Sequence, residues 1–221
     1  MKTITKPSRI PNEQDVLRTY YFPKRIFDFV FSLVLLFILS PCFVLIGLLI
    51  KLEDGGKIFY LHPRLGIKSS EINVYKFRSM KETKQDLKDL LTKEQYEEYL
   101  KEYKLDNDPR ITKIGNILRK TSLDELPQLL NILKGEMSFV GPRPIIEEEF
   151  INYSSQEKEK LLSVKPGLTG YWQAYARNNA TYQTGKRQEM ELYYIDNASL
   201  LLDIRILVKT VHTVLTREGA M

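Results

Sequence analysis

The stretch FVFSLVLLFILSPCFVLIGLLIK, residues Phe29 to Lys51, decides how this chain is organised. It carries no charged side chain before Lys51, and a straight helix over the uncharged part would cover roughly 33 Å, about the hydrocarbon thickness of a bilayer. A signal peptide is a poor interpretation, because the run is too long and no small-residue cleavage site follows it. A buried core helix seldom lacks charges over such a length. We therefore interpret the run as a membrane helix.

The pair Ser40 and Pro41 lies in the middle of this run. Pro41 has no backbone N–H, so the carbonyl of Phe37 loses its helical partner. In lipid that carbonyl needs another donor, and the Ser40 hydroxyl can bond to a carbonyl one turn back. The pair therefore predicts a bend in the helix.

Basic residues flank the run on both sides. A spanning helix should be asymmetric, with its basic side in the cytoplasm. Two basic ends favour a re-entrant helix whose ends share one face of the membrane, and a kinked spanning helix is the alternative. The flanking cations are Lys2, Lys6, Arg9, Arg18, Lys24 and Arg25 before the run, and Lys51, Lys57, Arg64 and Lys68 after it.

The composition fits one membrane segment, residues 1–51, and one globular domain, residues 52–221. The net charge is +5 over 221 residues. Such an excess suits nucleic acid, anionic lipid or a phosphorylated substrate, but the membrane segment explains it without nucleic acid, which we do not expect as a partner. The single cysteine, Cys42, excludes a disulfide within the chain and is consistent with a reducing compartment.

The remaining sequence predicts an α/β fold that is mostly helical. Alternation within residues 64–80 predicts a β-hairpin. Residues 81–108, with six Lys against nine Asp and Glu, predict a charged helical insertion in two pieces, with a capping box at Thr92 and Gln95. Amphipathic basic helices are predicted at 110–120 and 201–215; such helices can lie in the headgroup layer, although core packing gives the same pattern.

The block TSLDELPQLLNILKGEMSFVGPRP, Thr121 to Pro144, is the most informative part of the chain. Pro127 tolerates only a first-turn position, so a helix should begin within a few residues of Asp124. Asp124 and Glu125 then lie where free N–H groups favour anions. Acidic residues at a helix start usually cap it, and either Ser122 or Asp124 could do so, so the pair alone is weak evidence for catalysis.

Three arginines near this block strengthen the catalytic interpretation. Arg78, Arg119 and Arg143 could bind phosphate oxygens in a bidentate manner. Together with the two carboxylates they are the parts of a phosphoryl-transfer site with Mg²⁺. Glycine loops of the Walker type, zinc-binding spacings and a serine nucleophile elbow are all missing from the sequence. His62 and His212 are isolated, and we do not predict that either binds a metal.

On these residues the chain resembles the bacterial sugar transferases, the monotopic polyprenyl-phosphate phosphoglycosyl transferases. The similarity is closest to the small members, since no four-helix membrane domain precedes Lys24, and the central block is long and highly specific. The matching features are Ser40-Pro41, YKFRSM (75–80), DPRITKIGNILRKTSLDELPQLLNILKGEMSFVGPRP (108–144), KPGLTG (165–170), ARN (176–178) and DIRIL (203–207).

The resemblance implies a two-step reaction. Asp124 would attack the β-phosphate of a UDP-sugar, release UMP and hold the phosphosugar covalently. Polyprenyl (undecaprenyl) phosphate would then accept the phosphosugar, and ping-pong kinetics are expected. Glu125 would help Asp124 to position Mg²⁺ or the reacting groups. The side chains implied to hold phosphates, grip the nucleotide or order the site are Lys76, Arg78, Arg119, Arg143 and Arg177.

The resemblance also implies a location. The apolar helix would be re-entrant and break at Ser40 and Pro41, so that the protein lies in one leaflet on the cytoplasmic face of the bacterial inner membrane. Amphipathic interfacial helices would surround the catalytic domain at headgroup depth. The reaction would start capsule, exopolysaccharide or another surface glycan.

Two departures from the family pattern bear on the sugar. The usual Gln-x-Arg-x-Gly turn reads His62 to Gly66 here, and YWQAYARN follows Gly170. The sequence therefore does not name the sugar, and it leaves homo-oligomer formation open. A non-catalytic scaffold on the membrane surface is the alternative function.

Overall fold

Helices account for most of the fold, and they surround two small β-sheets, as an α/β fold with mainly helical content predicts. The computed structural model describes residues 17–83, 86–102, 105, 108–176 and 180–216. The α-helices are α1 (Phe22–Asp54), α2 (Leu87–Leu90), α3 (Lys93–Glu102), α4 (Lys113–Thr121), α5 (Gln128–Lys134), α6 (Ser155–Leu161), α7 (Tyr171–Tyr175), α8 (Lys186–Asn197) and α9 (Leu200–Thr216). The strands are β1 (Phe59–Leu65), β2 (Glu71–Phe77), β3 (Ser138–Val140) and β4 (Gly167–Thr169).

Helix α1 is 33 residues long, and helical structure continues through Ser40 and Pro41; the bend and the re-entrant path stay predictions. The Ser40 hydroxyl donates a 2.8 Å hydrogen bond to the Phe37 carbonyl, as predicted. That bond supplies the partner that Pro41 cannot, and helical geometry continues across the proline. The helix ends at Gly55, whose positive φ of 70° suits a left-handed cap.

One face of α1 packs along the globular part of the protein. In its first half, Leu35, Leu36 and Leu39 pack on a core cluster that includes Leu129, Ile132 and Phe139. In its second half, Ile46 and Ile50 pack with Phe77 and Leu118 in another cluster, which we call the active-site cluster because it underlies the residues discussed below. The opposite face is exposed and apolar, and the helix is long and apolar enough to cross a membrane.

Strands β1 and β2 form the predicted hairpin, which begins earlier than expected. Phe59 and Tyr60 favour strand structure, so β1 starts at Phe59 rather than Arg64, and His62 to Leu65 lie in a strand instead of a turn. Tyr60 stands opposite Lys76 in the register. The charged insertion contains the two predicted helices, α2 and α3, and the capping box is confirmed by reciprocal bonds of 3.0 and 3.2 Å between Thr92 and Gln95.

Both predicted amphipathic helices are present as α4 and α9. In α9 the side chains of Ile204, Val208 and Val211 are exposed, whereas Ile206 is completely buried. The outward face of α9 is therefore apolar, like the outward face of α1.

Candidate active site

A short turn carries Asp124 and Glu125. Helix α4 ends at Thr121, Ser122 adopts a left-handed conformation with φ of 56°, and a 3₁₀ turn then spans Leu123–Glu125. Among the described residues no side chain caps this turn or α5, so the capping that Ser122 or Asp124 could provide is not found. The turn is held instead by Leu123 and Leu126, which pack on the active-site cluster.

Asp124 is 9 % exposed, although it is charged at neutral pH in an ordinary environment. Burial, with the charge of the neighbouring Glu125 adding to it, raises the pKa of Asp124 to about 6. The positive charges of Lys76 and Arg119 act in the opposite direction. A buried carboxylate with a perturbed pKa, surrounded by specific charges, is a candidate for a catalytic group.

Lys76 and Arg119 approach the carboxylate pair from two different elements. The Lys76 ammonium, at the end of β2, lies 2.8 Å from a carboxylate oxygen of Glu125. Arg119, in the last turn of α4, is half-buried, and within the described part of the chain it has no ion-pair partner. The structure therefore brings four predicted site residues into one group: Lys76, Arg119, Asp124 and Glu125.

Asn131 fixes α5 to the free edge of β2, and the sequence analysis did not select it. Its side-chain oxygen accepts from the Tyr75 N–H at 3.0 Å, and its side-chain nitrogen donates to the Asn73 carbonyl at 2.8 Å. Asn131 is completely buried. The sequence feature that could have identified Asn131 is a single amide among the apolar residues of LLNIL, because a buried polar group requires hydrogen-bond partners.

Arg78 lies apart from the carboxylate pair, against the end of α1. Its two terminal nitrogens both donate to the Asp54 carboxylate, and its Nε donates to the Lys57 carbonyl at 2.6 Å. Arg78 is only 6 % exposed. The guanidinium N–H groups of Arg78 therefore donate to protein groups and not towards the carboxylate pair.

A second basic group adjoins Lys76. Arg64 donates to Nδ1 of His62 at 3.3 Å and pairs with Glu149 at 3.4 Å. Burial, together with the charges of Arg64, Lys76 and Arg143, lowers the pKa of His62 to about 3, so this histidine is neutral. His62, which the sequence analysis did not select, therefore lies with Arg64 and Arg143 beside Lys76.

Helix α8 contacts the backbone of Arg143 through Glu191. The Arg143 N–H donates to Glu191 at 3.1 Å. Burial raises the pKa of Glu191 to about 7. Nearby, the guanidinium of Arg187 stacks on the rings of Trp172 and Tyr182, 4.2 and 3.9 Å from their centres. Arg177 lies outside the described residues.

The donor set at this turn fits Mg²⁺. Asp124 and Glu125 offer two adjacent carboxylates, and burial together with the charge of Glu125 raises the pKa of Asp124. Mg²⁺ commonly uses one or two carboxylates and completes its shell with water and substrate phosphates. Within the described residues there is no cluster of three or more His, Cys, Asp and Glu side chains that could enclose a metal. The residues therefore suit a cation shared with a phosphate substrate.

The buried Asp124, the partly exposed Glu125 and basic residues from β2 and α4 form a charged site of the kind that suits an enzyme acting on phosphate groups. The family model described as "Bacterial sugar transferase" matches residues 19–217, and the chain belongs to that family. It is a transferase, and its apolar helix is compatible with membrane association.

Three relatives show how far the similarity extends. The chain is 42 % identical to the exopolysaccharide production protein ExoY of Sinorhizobium fredii, over all of both proteins. It is 45 % identical to the undecaprenyl-phosphate galactose phosphotransferase of Salmonella typhimurium, over 92 % of this chain and 42 % of that protein. It is 44 % identical to the UDP-galactose-lipid carrier transferase of Erwinia amylovora, over 90 % of this chain and 42 % of that protein.

Proposed function

We propose that this enzyme transfers a sugar 1-phosphate from a UDP-sugar to polyprenyl phosphate, as the first membrane step of capsule or exopolysaccharide synthesis. The Salmonella relative is named as an undecaprenyl-phosphate galactose phosphotransferase and the Erwinia relative as a UDP-galactose-lipid carrier transferase, and these names support this acceptor and donor. The observation that carries the proposal is the buried Asp124 carboxylate beside Glu125, Lys76 and Arg119. This group has the charges that an attack on a diphosphate requires.

In the first half-reaction, a carboxylate oxygen of Asp124 bonds to the β-phosphorus of the UDP-sugar. The bond from that phosphorus to the oxygen bridging the α-phosphate breaks, and UMP leaves with the electron pair. With a pKa of about 6, Asp124 is largely ionised near pH 7 and needs no separate base. The charges of Lys76 and Arg119 offset the repulsion between the carboxylate and the diphosphate.

In the second half-reaction, a phosphate oxygen of polyprenyl phosphate attacks the phosphorus of the enzyme-bound phosphosugar. The acyl phosphate bond to Asp124 breaks, the carboxylate is regenerated, and polyprenyl diphosphate-sugar is released. Two displacements through one covalent intermediate predict ping-pong kinetics.

Asp124 and Glu125 would hold Mg²⁺, which, when bound, supplies positive charge that polarises phosphoryl oxygens. Arg143, next to Arg64 and the neutral His62, would grip the nucleotide diphosphate. Arg78 would order the site rather than bind phosphate, because its guanidinium donates to Asp54 and Lys57. Arg177 stays a proposed substrate-binding residue on the resemblance alone.

We further propose that α1 is re-entrant and that the enzyme is monotopic on the cytoplasmic face. Near the start of α1, Lys24 pairs with Asp203 at 2.6 Å, and at its end Glu53 accepts from the Lys113 N–H at 2.7 Å. A straight helix of this length covers about 50 Å, more than the hydrocarbon core. Both ends bind the same globular part, which supports our proposal that they lie on one side of the membrane.

The exposed apolar faces of α1 and α9 support contact with lipid. In α1, Phe37 and Val44 are 82 and 72 % exposed. Exposure of contiguous apolar surface to water is unfavourable, and such surfaces commonly mark a protein or membrane contact. Immersion of α1 in one leaflet, with α9 in the headgroup layer, would cover both.

Accessibility labelling tests the topology. Single cysteines replace Thr5 and Tyr60 in a Cys42→Ser background, in inside-out and right-side-out vesicles. Labelling of both positions from the cytoplasmic side only is expected. Labelling from opposite sides would mean that α1 spans the membrane.

UMP release tests the function. Wild-type protein in nanodiscs with Mg²⁺ and polyprenyl phosphate is incubated with UDP-galactose, UDP-glucose and UDP-N-acetylgalactosamine. We expect at least one donor to give UMP and an Asp124-linked phosphosugar by intact mass. Asp124→Asn abolishes both, whereas Asp196→Asn, an exposed carboxylate paired with Lys160, leaves them unchanged. Lipid binding without turnover of any donor would favour the scaffold function.

A further inference from the structure

The last two residues of α1 are both acidic, and each is bonded to a different element of the proposed active site. Glu53 accepts hydrogen bonds at the start of α4, from Lys113 at 2.7 Å and from Ile114 at 3.3 Å. Asp54 binds the guanidinium of Arg78, at the end of β2. One helix end therefore contacts two segments that are far apart in sequence.

Each of these segments carries one of the cations beside Asp124. Helix α4 has Arg119 in its last turn and continues directly into the turn that holds Asp124. Strand β2 has Lys76 two residues before Arg78, and Lys76 reaches Glu125 at 2.8 Å. The separation of the two cations thus depends on how α4 and β2 are held relative to each other.

The hydrogen bonds of Glu53 and Asp54 define how α4 and Arg78 are oriented relative to the end of α1. Thr112 caps α4, and its hydroxyl accepts from the Gly115 N–H at 2.9 Å. The Glu53 carboxylate adds a second acceptor at the same helix end, for the Lys113 N–H. The Asp54–Arg78 pair is bidentate, and its Arg78 side chain also binds the Lys57 carbonyl, which closes the loop between α1 and β1. Bidentate pairs define orientation as well as distance.

Apolar packing joins the same three elements. In the active-site cluster, Ile46 and Ile50 from α1 contact Phe77 from β2 and Leu118 from α4. Such packing holds the elements together but allows small sliding, whereas the polar contacts at the end of α1 fix their register.

We propose that Glu53 and Asp54 are positioning residues: together they set the spacing of Lys76 and Arg119 around Asp124 from the end of the membrane helix. The kinetic test of this proposal rests on the proposed function. Neither residue touches the reacting atoms; Glu53 acts through α4 and Asp54 acts through Arg78 and β2. Displacement by about 1 Å of groups that stabilise a transition state can cost on the order of 100-fold in rate.

The kinetic experiment uses full-length protein in nanodiscs and the best donor among the three UDP-sugars named above. Adduct formation is followed by rapid quench, so the amplitude counts folded, competent enzyme and the rate constant reports positioning. We expect Glu53→Ala and Asp54→Ala to keep most of the amplitude and to lower the rate constant about 10- to 100-fold, with the KM for the donor within about threefold of wild type. Asp196→Ala is the matched control, because Asp196 is an exposed carboxylate paired with Lys160, away from the end of α1.

Rescue separates positioning from a loss of stability. Glu53→Gln keeps an oxygen that accepts from the α4 N–H groups, so most of the rate should return. A Glu53→Gln variant as slow as Glu53→Ala, or a Glu53→Ala rate within threefold of wild type, would overturn the proposal. For Asp54, adding Asp54→Ala to Arg78→Ala should cause little further loss; additive losses would mean that Asp54 does not act through Arg78.

A second readout does not depend on turnover. Hydrogen exchange should show lost amide protection from Lys113 through Glu125 in Glu53→Ala, and near Arg78 in Asp54→Ala. Loss confined to Lys113 and Ile114 would overturn the role of Glu53. If no donor reacts in wild-type protein but these exchange changes occur, the proposed function fails while the coupling of α1 to the two elements stands.

Discussion

The Lys76 ammonium lies 2.8 Å from a carboxylate oxygen of Glu125, and this ion pair joins β2 to the turn that carries Asp124. The two side chains are 21 and 26 % exposed, so the pair is accessible from outside the protein. Burial raises the pKa of the neighbouring Asp124, and the charge of Lys76 opposes that rise. Lys76 therefore acts on both carboxylates.

Lys76→Gln should reduce the rate of adduct formation and raise the pKa of Asp124. It removes one of the positive charges that offset repulsion from the diphosphate, and loss of one such group typically costs about 100-fold or more. Quench-flow measurement of UMP release from pH 5.5 to 8.5 checks both effects. Lys134→Gln, an exposed lysine bonded to the Tyr75 hydroxyl, serves as control, and equal rates in the two variants would exclude this role for Lys76.

Asn131→Ala should destabilise the protein by about 2–4 kcal/mol, because two backbone groups at the edge of β2 lose their partners inside the fold. Thermal unfolding in detergent measures the change. Asn116→Ala, at an exposed position of α4, should change the free energy of unfolding by less than about 0.5 kcal/mol. A comparable loss for both variants would show that the Asn131 bonds contribute little.

Gly115→Ala should destabilise the protein by about 3 kcal/mol or more, since an added methyl group forces the backbone of α4 away from its neighbour. A Cβ atom at Gly115 would come 2.0 Å from the backbone carbonyl oxygen of Ser79. Chemical unfolding measures the loss, with Asn116→Ala again as control. Wild-type stability would contradict the close approach of α4 to the segment after β2.

Glu191→Gln should weaken the pH dependence of stability. In the folded protein the pKa of Glu191 is raised from 4.5 to about 7, so the folded state binds more protons between these values. The free energy of unfolding of the wild type therefore falls as pH rises through this window. We expect the Tm difference, Glu191→Gln minus wild type, to increase by about 2–4 °C or more between pH 5 and pH 8. Glu189→Gln, exposed on the same helix, should show no such gain; a parallel pH response of Glu191→Gln would refute the assignment.

The sequence was most informative where the relevant residues are close along the chain. The Ser40 bond to Phe37 and the capping box of Thr92 both involve partners within a few residues, and local chemistry predicts such contacts. The helical character and the hairpin followed from periodicity in the same way.

The contacts that the sequence did not predict join distant segments. Arg78 meets Asp54 24 positions away, and Arg64 meets Glu149 85 positions away. Neither pairing has a local pattern, because each depends on how helices and strands pack. At Pro41 the local pattern was informative again, since the Ser40 hydroxyl bonds to the Phe37 carbonyl, whose helical partner the proline removes.

The packing of α1 against both core clusters bears on how the enzyme can be handled. A fragment that starts at residue 52, designed to avoid detergent, would lack Ile46 and Ile50 and leave Phe77 and Leu118 facing solvent. It would also lose Lys24, the ion-pair partner of Asp203. We therefore expect such a truncated protein to aggregate during expression, and insertion into lipid and completion of the hydrophobic interior to be a single event.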